Sequence, residues 1–524
     1  MYIAQASEMQ EVDRKTITEF AIPGIVLMEN AGRGTVDFMC RELGVLADRT
    51  IPVLVGPGNN GGDGLVIARH LFQLGAHPFI LYGLAPERLK SDAAVNRDIV
   101  VRMGIASLVL KNDFSPTDLE EQLIGRHALF PVACMVDALF GTGLSRNIEG
   151  HFARIVELIN HLRATRNWPV ISVDMPSGIN ADTGMVLGTA VTADLTATYG
   201  LAQPAHFLNG GRRIGQLRVV DISIPKEVPR QLGLQGQALT RENLPDLPQR
   251  AVDAHKGKNG HLLVLAGSEG KTGAAILCCQ AALRSGSGLV SAAVPNDLNP
   301  VFESTLIETM TLPLPESSIC LSMDDVDFIL AAAIGKQAIV IGPGIGTDDI
   351  TQELFLFLYR EIDLPMVVDA DGLNILALHS DAIAQAGGPR LLTPHPGEMA
   401  RLLKTKNSAV LADRIGAALS LVKGLDGDVV VALKGAGTVI ADNQGNWAIN
   451  TTGNPGMASA GMGDVLAGLC GSLLSQGLTT WQSAALAVYT HGLAADLLAA
   501  HRPVGFTAMD VADMLPDALA DISR

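Results

Sequence analysis

A glycine-rich loop near the start of the chain is the first segment whose residue types could do chemistry. Residues 56–64 read Gly-Pro-Gly-Asn-Asn-Gly-Gly-Asp-Gly and follow an apolar stretch at 51–55. Glycines between a strand and a helix let the backbone approach a phosphate at the helix N-terminus. The acidic residue that a redox dinucleotide fold places about 20 positions later is missing, because Tyr82 and Gly83 stand there. The loop therefore favours a nucleotide site of another kind, with a purely structural turn as the alternative.

Two further strand ends carry polar side chains. Asp137 ends one apolar stretch, and Asp174 ends another and is followed by Ser177. Because the carboxyl ends of parallel strands gather on one edge of a sheet, we expect these residues to converge with Asn60. Amide, hydroxyl and carboxylate oxygens suit a hard, weakly charged cation such as K⁺. The second carboxylate would then be free for proton transfer, although a lone Asp at a strand end is more often a cap.

The sharpest motif lies at 454–468, where glycines precede Asp464 at the start of an apolar helix pattern. Backbone N–H groups at a helix N-terminus stabilise negative charge that develops on a phosphoryl group. Asp464 beside them could accept the proton of an attacking hydroxyl group. A helix cap alone would not require the glycines on both sides. This pattern predicts a phosphoryl-transfer site.

Other turns in the second half could line the same site. Residues 342–346 (Gly-Pro-Gly-Ile-Gly) allow close backbone approach, and the N–H groups of residues 434–438 could bind a nucleotide phosphate. His395 stands between two prolines beside Glu398, which favours binding or catalysis over a simple helix cap. Gly-Lys-Thr at 270–272 is not a P-loop, because Leu265 occupies a position that requires glycine.

Short apolar stretches alternate with amphipathic ones, which is typical of βα units on parallel sheets. Two predicted helices, separated from each other at Pro23 and Gly24, precede the first strand. The segment 226–248 contains three prolines and directly follows Pro225, which predicts a linker, so we expect two α/β domains, at 1–225 and 249–524. Two helices, about 464–475 and 481–500, close the chain. The predicted strands are 51–55, 79–82, 133–137, 170–174 and 195–199, then 261–266, 289–294, 338–341, 366–369, 391–393 and 429–433, with a hairpin at 438–441 and 447–450.

Composition excludes several classes of protein. The chain has 38 Lys and Arg residues and 54 Asp and Glu residues, a net charge of −16, which argues against general nucleic-acid binding. The six cysteines are scattered without a C-x-x-C pair, so a disulfide framework or zinc site is not expected. No secretory signal and no run of about 18 apolar residues is present. We therefore expect a cytoplasmic protein without membrane or nucleic-acid partners.

The motifs at 58–64, 137–143 and 174–178 together resemble those of NAD(P)HX epimerases, over roughly residues 8–225. The resemblance implies a Rossmann-like three-layer α/β/α domain that interconverts the R and S epimers of a hydrated nicotinamide nucleotide. It also implies that Asp174 does acid/base work and that Asn60, Asp137 and Ser177 hold K⁺. A related domain in decapping-enhancer scaffolds only binds, but Asn60 and Asp174 are intact here. The implied substrate-binding residues are Asn59, Asn60, Gly61, Gly62, Asp63, Gly141, Thr142, Gly143, Leu144, Ser145, Arg146, Asn147 and Asp174.

The second half resembles the ribokinase-like α/β fold, and more narrowly ADP-dependent (S)-NAD(P)HX dehydratases, over about residues 245–520. This resemblance implies phosphorylation of the hydrate's hydroxyl group followed by elimination of phosphate. Gly344, His395 and Asp464 would contact the hydrate, with Asp464 catalytic. Mg²⁺ would accompany ADP and screen its phosphates. The implied nucleotide-binding residues are Lys434, Gly435, Ala436, Gly437, Thr438 and Gly463.

The two resemblances together predict a bifunctional repair enzyme whose small-molecule partners are NADHX, NADPHX and ADP. The bacterial character of the fused arrangement favours ADP over ATP, and we expect a homo-oligomer. The alternative is a ribokinase-like small-molecule kinase fused to a nucleotide-binding or interaction module. Such a kinase would accumulate a stable phosphorylated product, whereas the repair enzyme would release inorganic phosphate.

Overall fold

The structure, a computed structural model, describes residues 1–211 and 213–523. Its chain divides into two compact units, one formed by Tyr2–Leu234 and the other by Met1 with Gln235–Arg524. In the part of the chain that the structure describes, no helix is long and apolar enough to cross a membrane.

The first unit is built on a parallel sheet of seven strands in the order β3-β2-β1-β4-β5-β6-β7. The strand order reverses between β1 and β4, which is where open α/β sheets bind ligands. The strands are β1 (Thr50–Val55), β2 (His77–Tyr82), β3 (Ser107–Val109), β4 (Met135–Ala138), β5 (Val170–Val173), β6 (Leu195–Tyr199) and β7 (Gln216–Val220). The helices are α1 (Ala6–Thr18), α2 (Gly24–Leu43), α3 (Asn59–Gln73), α4 (Ser91–Arg102), α5 (Pro116–Leu129), α6 (Gly150–Arg166) and α7 (Glu227–Gln231).

Alternating residues of the central strands face two separate cores. Val53 and Val55 pack in one hydrophobic cluster, whereas Leu54 packs in the other. Because side chains of a strand point alternately to its two faces, the sheet is covered on both sides. This is the three-layer arrangement that the sequence predicts.

The second unit has a ten-stranded mixed sheet in the order β11-β10-β9-β12-β13-β14-β15-β16-β17-β8. Its pairs are parallel except β15 with β16 and β16 with β17. The strands are β8 (Gly236–Leu239), β9 (His261–Leu265), β10 (Leu289–Pro295), β11 (Met310–Leu314), β12 (Ala338–Ile341), β13 (Met366–Val368), β14 (Arg390–Leu392), β15 (Val429–Leu433), β16 (Val439–Asp442) and β17 (Trp447–Asn450). The helices are α8 (Thr272–Arg284), α9 (Asn299–Glu303), α10 (Val326–Ala333), α11 (Asp349–Glu361), α12 (Asp371–Leu378), α13 (Pro396–Leu402), α14 (Asn407–Ala412), α15 (Arg414–Val422), α16 (Met462–Ser475), α17 (Thr480–Ala499) and α18 (Ala508–Ile522).

The predicted α/β fold class is confirmed, and three details differ from the sequence-based expectation. The segment 226–248 is not an irregular linker, because it contains α7 and β8, and β8 pairs in parallel with β17. Its prolines flank β8 and do not interrupt it. A third helix, α18, closes the chain; its capping box joins Thr507 to Asp510, but Pro516 inside the helix masks its periodic pattern. The prediction also missed β3, β7 and β11, whose exposed positions weaken the apolar signal.

Candidate active sites

The first site forms where β1, β4 and β5 end. Asn60 lies in the first turn of α3 and is buried, and its side-chain oxygen and nitrogen have no hydrogen-bond partner among the described residues. A Cβ atom added to Gly141 would lie 3.0 Å from Asn60 Oδ1 and 2.7 Å from Asp174 Oδ2. Gly141 therefore marks a point where all three loops meet, and a larger residue there would block it.

Asp137, at the end of β4, is fully buried and well supplied with donors. Its carboxylate accepts hydrogen bonds from Ser172 Oγ (2.9 Å), Ser177 N (2.9 Å), Ser177 Oγ (2.6 Å) and Leu139 N (3.3 Å). Burial raises the pKa of Asp137, while these hydrogen bonds act in the opposite direction. The Ser177 hydroxyl also lies 3.1 Å from the Phe140 carbonyl oxygen. The result is a compact set of oxygen atoms from Asp137, Ser177 and Phe140, the residue before Gly141.

Asp174 has the left-handed backbone conformation, with φ of 64°, which is uncommon for a residue with a side chain and frequent at functional sites. Its Oδ2 accepts a hydrogen bond from Thr142 N (3.0 Å), and its Oδ1 accepts one from Thr198 Oγ1 (3.2 Å). His206 Nδ1 accepts from Gln203 N (2.9 Å), so the ring proton lies on Nε2, which donates to the Asp174 carbonyl oxygen (3.0 Å). These contacts hold the Asp174 side chain in one orientation.

Two other carboxyl groups share the electrostatic environment of Asp174. Burial, with the charges of Asp174 and Asp13, raises the pKa of Asp63 well above its usual range. Burial and the Asp174 charge raise the pKa of Asp13 to about 6. Sequence reasoning missed Asp13 because it lies on α1, far from the glycine motifs. It also missed Thr198 and His206, which lie outside the motifs.

The remaining predicted substrate residues of this unit surround the convergence point. Asn59 is exposed at the start of α3, and Gly61 and Gly62 are buried behind it. In the loop after β4, Gly141, Thr142 and Leu144 are half-buried. The other four members are exposed: Gly143, Ser145, Arg146 and Asn147. The loop thus presents an open surface next to Asn60 and Asp174.

The second site forms around the N-terminus of α16. A Cβ atom added to Gly463 would lie 3.2 Å from Lys434 Nζ and 3.6 Å from Asp369 Oδ2, so the helix start lies directly against these charges. Burial and the Asp369 carboxylate raise the pKa of Asp464 to about 6, against the opposing effect of Lys434. A carboxyl group with this pKa is ionised at neutral pH and is still basic enough to accept a proton.

Lys434 and Asp369 form a buried ion pair, with Nζ 2.6 Å from Oδ1 and only 1% of the Asp369 side chain exposed. Burial disfavours the charged lysine, but the carboxylates of Asp369, Glu398 and Asp464 outweigh it and raise the pKa of Lys434. The lysine therefore stays charged beside Gly463. The sequence analysis places Asp369 at the end of a predicted strand and does not include it in the site. Its position at a strand end is the sequence feature that could have identified it.

In the loop 434–438, the backbone N–H groups of residues 435–438 are free donors. Gly435 and Gly437 have φ of 146° and 67°, which turn the chain sharply between β15 and β16. Among the described residues, none accepts a hydrogen bond from the N–H groups of residues 435–438. Successive free N–H groups in a turn form a concavity that binds anions. The geometry supports the predicted contact with a nucleotide phosphate.

His395 caps a helix. Its Nδ1 accepts hydrogen bonds from Gly397 N (3.0 Å) and Glu398 N (3.3 Å) at the start of α13. Its Nε2 therefore carries the ring proton and lies 3.3 Å from Glu398 Oε1, and half of its side chain is exposed. Burial lowers the pKa of His395 and raises that of Glu398 to about 7. The cap that was the alternative interpretation is present, and contact with substrate through the exposed ring edge stays a prediction.

Gly344 lies against the start of the helix that follows β9. A Cβ atom added to it would lie 2.8 Å from the Lys271 carbonyl oxygen. The Lys271 ammonium group in turn donates to Asp371 Oδ2 (2.9 Å), which also accepts from Gly346 N (3.0 Å). Lys271 belongs to the rejected P-loop match and Asp371 to no motif, so sequence reasoning missed their link between two loops.

Two sheet-based units, each with a glycine-lined site and carboxyl groups at the carboxyl edge of parallel strands, define a two-domain α/β enzyme. Residues 24–205 match the family model described as YjeF-related protein N-terminus, and residues 262–517 match that of NAD(P)H-hydrate dehydratase. The bifunctional NAD(P)H-hydrate repair enzyme of Moorella thermoacetica is 40% identical over 531 residues, covering 100% of this chain and 98% of the relative. That of Thermofilum pendens is 38% identical over 522 residues, covering 99% and 96%.

Among solved structures, the ADP/ATP-dependent NAD(P)H-hydrate dehydratase from Bacillus subtilis, co-crystallised with ATP/Mg²⁺, is 28% identical. It covers 55% of this chain and 98% of its own, with a TM-score of 0.46. On the full-length relatives, the chain belongs to the family of bifunctional NAD(P)H-hydrate repair enzymes. It is an enzyme with an epimerase domain followed by a dehydratase domain, as the motif resemblance predicted.

Proposed function

We propose that the first site interconverts the R and S epimers of NADHX and NADPHX and that the second dehydrates the S epimer at the expense of ADP. The observation that supports this division is that each unit has its own pair of polar groups at a glycine-lined sheet edge. These groups are Asn60 with Asp174 in one unit and Asp464 with Lys434 in the other.

Epimerisation requires proton transfer at the hydrated carbon. Hydration of a dihydronicotinamide ring places the hydroxyl group on a carbon bonded to the ring nitrogen. Protonation of that hydroxyl releases water and leaves a carbon–nitrogen double bond, which water can attack from either face with loss of a proton. We assign these proton transfers to Asp174, whose side chain is fixed by Thr142 and Thr198.

Potassium fits the oxygen atoms of the first unit. Asn60 Oδ1 is buried without a partner, and the Asp137 carboxylate and Ser177 hydroxyl lie 2.6 Å apart. Hard cations bind oxygen ligands of this kind. We propose that Asn60, Asp137 and Ser177 hold K⁺, which would supply positive charge next to the bound substrate. Residues 59–63 and 141–147 would bind the hydrated nucleotide.

In the second unit, the oxygen of the hydrate's hydroxyl group would attack the terminal phosphoryl group of ADP, and Asp464 would accept the proton of that hydroxyl group. The N–H groups at the start of α16 and the Lys434 ammonium group would stabilise the negative charge that develops. AMP leaves, and the phosphorylated hydrate then loses phosphate and a proton from the adjacent carbon, which restores the double bond of NAD(P)H. Gly344 and His395 would contact the hydrate, and residues 434–438 with Gly463 the nucleotide.

Mg²⁺ would screen the phosphates of ADP. Mg²⁺ is commonly held by one or two carboxylates together with substrate phosphates and water. Asp371, whose charge contributes to the raised pKa of Asp464, is the additional carboxylate that fits this role.

All six cysteines are free thiols, which is the state expected in a reducing cytoplasm. Assembly as a homo-oligomer stays a prediction.

Incubation of the full chain with mixed hydrate epimers, Mg²⁺ and either ADP or ATP tests this proposal. We expect both epimers to be consumed with ADP, with release of AMP and inorganic phosphate and recovery of reduced nicotinamide absorbance. A stable phosphorylated product without that absorbance would instead support the kinase alternative. Faster turnover with ATP would overturn the assignment of ADP.

A further inference from the structure

A buried arginine lies beneath the loop 434–438 and has no role in the mechanism described so far. Arg414, at the start of α15, is 4% exposed. Its Nη1 donates to the Ala436 carbonyl oxygen (2.6 Å), and its Nη2 donates to that of Leu433 (3.1 Å). A Cβ atom added to Gly435 would lie 2.9 Å from Nη2, so the loop backbone packs directly on the guanidinium group.

The hydrogen bond to Ala436 fixes the direction of one N–H group of the loop. In a planar trans peptide, the carbonyl oxygen and the following N–H point to opposite sides. Because the Ala436 carbonyl faces Arg414, the Gly437 N–H faces away from it. Residues 435 and 436 are exposed, and their N–H groups also lack acceptors among the described residues. Arg414 thus turns the Gly437 N–H outward.

The charge of Arg414 has no counterion. In the described ranges, 1–211 and 213–523, Arg414 forms no ion pair, and its Nε is buried without a hydrogen-bond partner. Burial lowers its pKa to about 10, with no neighbouring carboxylate to oppose this. A buried cation without a counterion is unfavourable, and an anion on the other side of the loop backbone would compensate its charge.

Arg390 provides a comparison within the same unit. It is also fully buried, and its guanidinium group donates four hydrogen bonds to carbonyl oxygens of the backbone. These belong to Tyr359, Ile362, Leu364 and Pro389, none of which lies in the loop 434–438. Arg390 therefore offers the same chemistry in a purely structural setting.

We propose that Arg414 is a positioning residue for the phosphate groups of the nucleotide, because it holds the loop with the Gly437 N–H directed outward and places positive charge directly behind the loop. This inference rests on the proposed nucleotide site of the second unit.

The test uses the full chain with Arg414→Met, Arg414→Lys and, as the matched control, Arg390→Lys. Affinity for ADP with Mg²⁺ is measured by calorimetry, together with KM and kcat for ADP, and a parent-like kcat at saturating ADP reports that the second unit is folded. We expect Arg414→Met to weaken ADP binding by about tenfold or more and to raise KM with little change in kcat. The ADP affinity of Arg414→Lys should lie between those of Arg414→Met and the parent chain, because an ammonium group cannot reach both carbonyl oxygens. Arg390→Lys should bind ADP as the parent chain does.

Parent-like ADP affinity in Arg414→Met, with a parent-like kcat, would overturn the proposal. If Arg414→Met does not fold, Arg414→Lys decides: weakened ADP binding supports the proposal and parent-like binding overturns it. Failure of the parent chain itself to bind ADP would overturn the proposed nucleotide site, a result distinct from either outcome.

Discussion

The two sites use carboxyl groups in opposite electrostatic settings. In the first unit, burial and the charge of Asp174 raise the pKa values of Asp13 and Asp63, and no lysine or arginine contributes to either shift. In the second unit, Lys434 lies among Asp369, Glu398 and Asp464. The first arrangement suits proton transfer on an uncharged ring, whereas the second suits transfer of a negatively charged phosphoryl group. The difference indicates that each site is built for one of the two reactions.

The largest effect is expected for Asp464→Asn. Loss of a general base typically reduces the rate by about 10²- to 10⁴-fold, so ADP-dependent formation of NADH should nearly cease. Epimerisation should continue at the parent rate, as measured by chromatographic separation of the R and S forms. A folded variant that lost both reactions would contradict the separation of the two sites.

Asp174→Ala should produce the complementary loss. Without its acid/base group, the first site should equilibrate the epimers about 10²-fold more slowly or worse. Repair of purified S hydrate with ADP should be unchanged, while R hydrate should accumulate. Parent-like conversion of R hydrate would show that another group, such as Asp63, performs the proton transfer.

The dehydratase reaction should depend on pH through Asp464. Its pKa is raised to about 6, so its carboxylate is available as a base above that pH and is lost as the pH falls through it. Under saturating ADP and S hydrate, kcat should fall about tenfold per unit below pH 6. A profile that stays flat down to pH 5, with the protein still folded, would exclude Asp464 as the base.

Ser172→Ala should give the smallest effect and should touch only the first unit. The Ser172 hydroxyl donates to Asp137 Oδ2 (2.9 Å). Loss of a hydrogen bond that supports a metal ligand typically weakens metal binding by about 10- to 100-fold. The K⁺ concentration needed for half-maximal epimerisation should rise by about tenfold, while the dehydratase reaction stays as before. Equal K⁺ dependence in parent and variant would argue against a cation held by Asp137.

Much of this fold was predictable because buried parallel strands are short, apolar and bounded by glycine. The stretch 195–199 matches β6 without error, and the glycine motifs marked both sheet edges. Exposed edge strands such as β11 carry no such signal. Likewise, Asp13, Arg414 and Asp369 lie outside the motifs that identified the sites. Their roles depend on distances between segments far apart in sequence, which no local pattern encodes.

The central claim is that two independent sites act in sequence on one substrate. Its most direct test is complementation: Asp174→Ala and Asp464→Asn chains are purified separately and mixed with R hydrate, ADP, Mg²⁺ and K⁺. Neither variant alone should form NADH from R hydrate at an appreciable rate, whereas the mixture should, because one chain supplies the S epimer and the other dehydrates it. A mixture of folded variants that still formed no NADH would contradict the claim.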